Sequence, residues 1–106
     1  MTIVRNLTPA QVSMALGKGT CDLIDVREPD EFAAARIPGA VSMPLSSFSV
    51  ADIPQETGRL TVISCAAGGR SMRAAEQCAR AGLTVFNLTG GLSAWADAGL
   101  RVERER

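Results

Sequence analysis

The stretch Leu60-Thr61-Val62-Ile63-Ser64-Cys65-Ala66-Ala67-Gly68-Gly69-Arg70-Ser71 decides how this chain reads. Leu60 to Ser64 is a short apolar run rich in β-branched residues, a strand signature. Cys65 to Ser71 reads as a glycine-containing loop, and Met72 to Ala81 as a helix. The order is strand, short loop, helix, with a thiol at the strand's carboxyl end. Backbone N–H groups of such a loop point inward, and the helix N-terminus adds partial positive charge. Both stabilise a thiolate at position 65, and the same loop can cradle an anion. Sulfur chemistry and phosphate chemistry both use such a site.

The alternation continues outward. Ile3-Val4 reads as a short first strand. Thr8-Pro9-Ala10-Gln11 opens a helix: Thr8 is an N-cap, Pro9 suits the first helical position, and Gln11 completes a capping box. Val12, Ala15 and Leu16 give that helix an apolar face, and Gly17 to Gly19 ends it. Cys21 to Val26 is a strand, Pro29 to Ala35 a short helix, Ile37 to Ala40 a turn and Val41 to Met43 another strand. One helical turn is expected near Leu45 to Ser49. Gly82 caps the Met72–Ala81 helix, Thr84 to Leu88 is the last strand, and Gly90-Gly91 opens a helix from Leu92 to Ala98.

The strands around Leu23 and Val62 are almost continuously apolar, as strands covered on both faces are. The expected fold is therefore α/β, a sheet with helices on both faces, in a single domain spanning residues 1–106. Ligands of such sheets gather at the carboxyl ends of the strands, where Cys65 and Asp25 both lie.

Composition narrows the chemistry. Eleven basic and eleven acidic residues balance, without a basic stripe, so nucleic acid is not an expected partner. No apolar run is long enough for a membrane segment, and Met1 to Asn6 is not expected to be a signal peptide. The polar end, Arg101 to Arg106, is expected to fray. Three cysteines, at 21, 65 and 78, do not make a disulfide framework and suit a reducing, cytoplasmic setting. Histidine and tyrosine are absent, which removes Ser-His-Asp and Cys-His catalysis and most zinc sites.

Four blocks together resemble the single-domain rhodanese sulfurtransferases: Asp25-Val26-Arg27-Glu28-Pro29-Asp30-Glu31-Phe32, Ile37-Pro38-Gly39-Ala40, Cys65-x-x-Gly68-x-Arg70-Ser71, and Gly90-Gly91-Leu92-x-Ala94-Trp95. They occur in the family's order and cover nearly the whole chain. The resemblance implies a three-layer fold with a mainly parallel five-stranded sheet. It implies that Cys65 takes a sulfane sulfur from a donor such as thiosulfate or a persulfide, and hands it to cyanide or a thiol, a thiol-bearing protein included. No metal and no organic cofactor are implied. Ala66 and Ala67 stand where the family often carries a basic or polar residue, which weakens the case for a dianionic donor, although the loop keeps its backbone donors and Arg70. Ala35-Arg36 replaces the usual Gly-His, and a local structural difference is expected there.

The residues suit that chemistry. A thiolate is the attacking species in sulfur exchange. Ala66, Ala67, Gly68, Gly69 and Arg70 are the expected substrate-binding residues, through inward N–H groups that stabilise thiolate and persulfide alike. Asp25 and Ser71 are assigned to support the loop. Arg70 either contacts substrate or braces the loop against Asp25 or Glu31, and bracing is the reading adopted. Arg27, Arg36 and Arg73 read as surface charges able to attract an anionic donor. Cys78 reads as core, with Ala74, Ala75 and Ala81; Cys21 reads as partly exposed, and Trp95 as core.

Two other functions compete. A sulfur carrier or regulatory module acting with a partner protein fits the two alanines. A cysteine phosphatase or arsenate reductase fits less well, because phosphatases place five residues between cysteine and arginine and only four separate Cys65 from Arg70.

Overall fold

A computed structural model describes residues 4–105. Along the chain the elements are β1 (Arg5–Leu7), α1 (Pro9–Gly17), β2 (Cys21–Asp25), α2 (Pro29–Ala34), β3 (Ala35–Arg36), β4 (Val41–Ser42), β5 (Leu60–Ser64), α3 (Gly69–Arg80), β6 (Phe86–Leu88), α4 (Gly91–Asp97) and β7 (Glu103–Arg104). Five strands form one sheet in the order β1-β6-β5-β2-β4, and every pairing in it is parallel. β5 and β2 run side by side from Cys21↔Leu60 to Asp25↔Ser64 at its centre.

Strand side chains alternate between faces, and this sorts the core into two layers. Leu23, Val62 and Leu88 pack with Val12 and Ala15 of α1 and Trp95 of α4. Ile24 and Ile63 pack on the other face with Ala74, Ala75 and Cys78 of α3. Local signals set the helix ends. The Thr8 hydroxyl accepts from the Gln11 N–H at 3.2 Å, and the Gln11 side chain accepts from the Thr8 N–H at 2.9 Å. A cap of this kind stabilises a helix by about 1 kcal/mol.

Several expectations need correction. The expected Ile3-Val4 strand lies partly outside the described residues, and the first strand begins at Arg5. α3 begins at Gly69, three residues before the expected Met72, because Gly68 takes a left-handed φ of +107° and turns the chain directly into the helix. Gly69 and Arg70 are therefore first-turn helix residues and not loop. The buried stripe of α3 runs Ser71, Ala74, Ala75, Cys78, and does not reach Ala81, which is exposed beyond the last turn. Two short 3-10 turns, Leu45–Ser47 and Val50–Asp52, replace the single expected one.

The tail is not frayed over its described part. β7 pairs antiparallel with β3, the Glu105 N–H donates to the Ala34 carbonyl at 3.0 Å, and Arg36 lies 3.6 Å from Glu103. Trp95 anchors the approach by donating its Nε1–H to the Arg101 carbonyl at 2.8 Å. Cys21 is buried and not partly exposed, because β2 is an interior strand. Among the described residues, no helix is long and apolar enough to cross a membrane.

Candidate active site

Cys65 leaves the carboxyl end of the central strand β5 and sits on the α3 face of the sheet, beside Ile24, Val26 and Ile63. The turn through Gly68 folds the chain back over the sulfur. The Gly68 N–H donates to Cys65 Sγ at 3.1 Å, and the Ser71 hydroxyl lies 3.2 Å from it. Ser71 reaches the sulfur because it heads the buried stripe of α3, in the first turn of the helix. Burial works against ionisation of Cys65. The Ser71 hydroxyl and the N–H dipoles of Ser71, Gly68 and Ala67 outweigh it and hold the thiol below its ordinary pKa.

The glycine pair at the start of α4, Gly90 and Gly91, aims those dipoles. The Leu92 N–H donates to the Cys65 carbonyl at 2.9 Å, and the Ser93 N–H to the Ala66 carbonyl at 3.0 Å. A trans peptide points its N–H opposite its carbonyl, so tying these carbonyls to α4 turns the Ala66 and Ala67 N–H groups the other way. The approach requires glycine. Gly91 has φ +56°, and a Cβ there would collide with the Cys65 carbonyl oxygen.

The other two cysteines are different. Cys78 is fully buried in the α3 core, and burial raises its pKa. Burial, reinforced by the neighbouring Asp22 carboxylate, pushes Cys21 up to about 11.

The arginines divide by partner. Arg70 braces against Glu31, the second of its two candidate acids, with bonds of 2.8 and 3.0 Å. Arg27 is not a surface charge. It is 4% exposed and grips Asp25, and it also donates to the Glu31 and Ala35 carbonyls. Arg36 is occupied by Glu103 and by the Phe32 ring, 5.5 Å from its centroid. Arg73 is exposed, and among the described residues it forms no ion pair. A cavity of about 430 Å³ opens over the sulfur, lined by Cys65, Ala66, Ala67, Gly69, Arg70 and Arg73.

Asp25 is assigned to support the loop, but the hydrogen bonds its carboxylate accepts come from Arg27 and not from residues 65–71. It is in register with Ser64, and register partners project from one face of the sheet, whereas Cys65 projects from the other. Its support is indirect, through Arg27 to the backbone of α2, which carries Glu31. The sequence reading missed Asn87 and Asn6. Asn87 Oδ1 lies 2.6 Å from Ser71 Oγ, and Asn87 Nδ2 donates to Asn6 Oδ1 at 3.0 Å. The available signal was a lone amide inside the apolar run Val85-Phe86-Asn87-Leu88.

Comparison with known proteins agrees with this fold. A sulfurtransferase of Allochromatium vinosum is 37% identical over 83 residues, covering 76% of each chain. An uncharacterized protein of Synechocystis is 44% identical over 79 residues, 74% of this chain, and this chain spans only 44% of its length. The crystal structure of a rhodanese-related protein from Thermoplasma volcanium superposes with a TM-score of 0.84 at 25% identity, covering 95% of this chain and 99% of that one. The family model for the rhodanese-like domain matches residues 8–98, and the chain belongs to that family.

Proposed function

We propose that this chain is a sulfurtransferase that carries sulfane sulfur on Cys65, as a persulfide, from a donor such as thiosulfate to cyanide or a thiol. The carrying observation is the sulfur itself, ringed by the Gly68 N–H and the Ser71 hydroxyl at the floor of an open cavity. The name of the Allochromatium relative points the same way.

In the first half-reaction the Cys65 thiolate attacks the outer sulfur of thiosulfate. A bond forms to Cys65 Sγ, the donor's S–S bond breaks, and sulfite leaves with the bonding pair. The terminal persulfide sulfur then carries the negative charge, within reach of the same donors. In the second half-reaction cyanide or a thiolate attacks that outer sulfur and departs as thiocyanate or a new persulfide, returning the Cys65 thiolate. Charge is conserved in each half. Arg73 is the cation that meets an anionic donor, since Glu31 neutralises Arg70.

Exposure to thiosulfate followed by intact-mass measurement tests this. One added sulfur atom is expected, absent in Cys65→Ser and discharged by cyanide. No uptake from thiosulfate or from a small-molecule persulfide removes the reading. A sulfur-carrier module acting with a thiol-bearing protein is the second reading, favoured by the small apolar rim of Ala66 and Ala67. Poor loading from thiosulfate with ready loading from a persulfidated protein would select it. The three free, buried thiols suit a reducing compartment, and we place the domain in the cytoplasm.

A further inference from the structure

Ser71 Oγ faces three acceptors with one proton to give: Asn87 Oδ1 at 2.6 Å, Cys65 Sγ at 3.2 Å and the Gly68 carbonyl at 3.2 Å. Ser71 is fully buried and Asn87 is 3% exposed, so the competition is settled inside the protein. Behind Asn87 the chain ends at Asn6, which is exposed on β1 and free to turn its amide in solvent.

With Cys65 protonated, the thiol can donate to Ser71 Oγ, and Ser71 donates to Asn87 Oδ1. With an anion on sulfur, the Ser71 hydroxyl donates to sulfur, because charge-assisted hydrogen bonds are about twice as strong as neutral ones. Asn87 Oδ1 would then meet the lone pairs of Ser71 Oγ at 2.6 Å with no proton between them. A half turn of the Asn87 amide removes that repulsion. Nδ2–H then donates to Ser71, Ser71 donates to sulfur, and Asn87 Oδ1 accepts from the turned Asn6 amide. Each bond polarises the next.

We propose that Asn87, backed by Asn6, is a positioning residue that follows the charge on Cys65: its amide accepts from Ser71 when the sulfur is a neutral thiol and donates to Ser71 when the sulfur is a thiolate. The proton lost by Cys65 passes to water at the cavity mouth, and no bond between heavy atoms changes. The charged groups beside the sulfur are Arg70 and Arg73 on α3, with Glu31 of α2 behind Arg70; the Asp25–Arg27 pair at the end of β2 projects from the other face of the sheet. Residues 60–64 of β5 and 86–95 of β6 and α4 contain no ionisable side chain.

The inference rests on Cys65 as the working nucleophile, but its readout is separate from sulfur uptake. The pH dependence of Cys65 alkylation, resolved by peptide mass, is measured for the intact protein, for Asn87→Leu, for Ser71→Ala and for the double variant. Asn87→Leu is expected to raise the Cys65 pKa by about half a unit to one unit, which is about three- to tenfold less thiolate below it. In the Ser71→Ala background the same change should do nothing, because Asn87 acts through Ser71. A fall in pKa would make the amide a fixed competing acceptor, and no change would make it purely structural; either overturns the proposal, as does a shift that persists without Ser71. Should Asn87→Leu fail to fold, the unaltered protein decides. The Asn87 side-chain amide resonances must titrate with the Cys65 midpoint, and an amide that stays still refutes the relay. Failure of sulfur uptake with this cycle intact would remove the sulfurtransferase reading alone.

Discussion

Arg70 holds Glu31 by two parallel hydrogen bonds, Nη1 to Oε1 at 2.8 Å and Nη2 to Oε2 at 3.0 Å. The pair joins the first turn of α3, directly after the Cys65 loop, to α2. Glu31 Oε1 also accepts from the Glu28 N–H at 2.9 Å, so one carboxylate caps α2 and secures the site helix.

This pair makes an acid-dependent contribution. The Arg70 guanidinium, helped by the Glu28 N–H, holds the Glu31 carboxyl at about 2, against 4.5 ordinarily. A depressed acid stabilises the fold fully above the unfolded value and loses that contribution as pH falls through the folded one. The window is therefore pH 4.5 down to 2. Both side chains are about one-third exposed, 32% and 35%, so screening limits the gain to about 1 kcal/mol or less. Urea unfolding across that window should show a shallower loss for Glu31→Gln than for the unaltered chain; equal slopes would contradict the assignment.

The three thiols should separate kinetically. At pH 8 iodoacetamide is expected to modify Cys65 and spare Cys21 and Cys78, whose burial disfavours ionisation. Peptide mapping after brief exposure checks this. Equal labelling of all three without denaturant would show that Cys65 has no special activation.

Arg73 should set the affinity for an anionic donor. Arg73→Gln is expected to raise the KM for thiosulfate about three- to tenfold with kcat little changed, the pattern of lost uniform binding. Added salt should imitate it, since an exposed charge is screened. A fall in kcat with unaltered KM would place Arg73 in the chemical step instead.

Asp25 should matter for stability before it matters for chemistry. Asp25→Ala leaves Arg27 buried without its partner, and breaking such a pair costs about 3–5 kcal/mol. The urea midpoint should drop sharply, and Asp25→Ala with Arg27→Met should recover much of the loss. A midpoint unchanged in the single variant would mean that Arg27 finds solvent.

Gly91→Ala should damage the site from behind. An L side chain at φ +56° costs about 1–2 kcal/mol, and the Cβ would press on the Cys65 carbonyl oxygen. Sulfur uptake is expected to slow at least about tenfold, as carbonyl displacement turns the N–H dipoles off the sulfur. Unaltered uptake would show that the α4 tether does not orient the loop.

Much of this was legible in the chain. The apolar runs around Leu23 and Val62 announced buried parallel strands, and Thr8-Pro9-Ala10-Gln11 announced a capped helix, because these signals are local. The position of Cys65 at a strand end before a glycine turn was legible for the same reason. The start of α3 was misplaced because Gly68, read as one of two loop glycines, is the residue that turns directly into the helix. The tail was misread because its order comes from β3, nearly seventy residues earlier in the chain.

By itself, then, the sequence determined the α/β alternation, the thiol at the end of a central strand and the glycine turn that follows it. These follow from hydrophobic period, turn chemistry and residue type, all of which act over a few neighbours. Only the tertiary structure decided which acid holds which arginine, that Asp25 faces away from Cys65, and that Asn87 stands behind Ser71. Those depend on strand register, which places residues 6, 63 and 87 side by side and carries a side chain to one face of the sheet or the other.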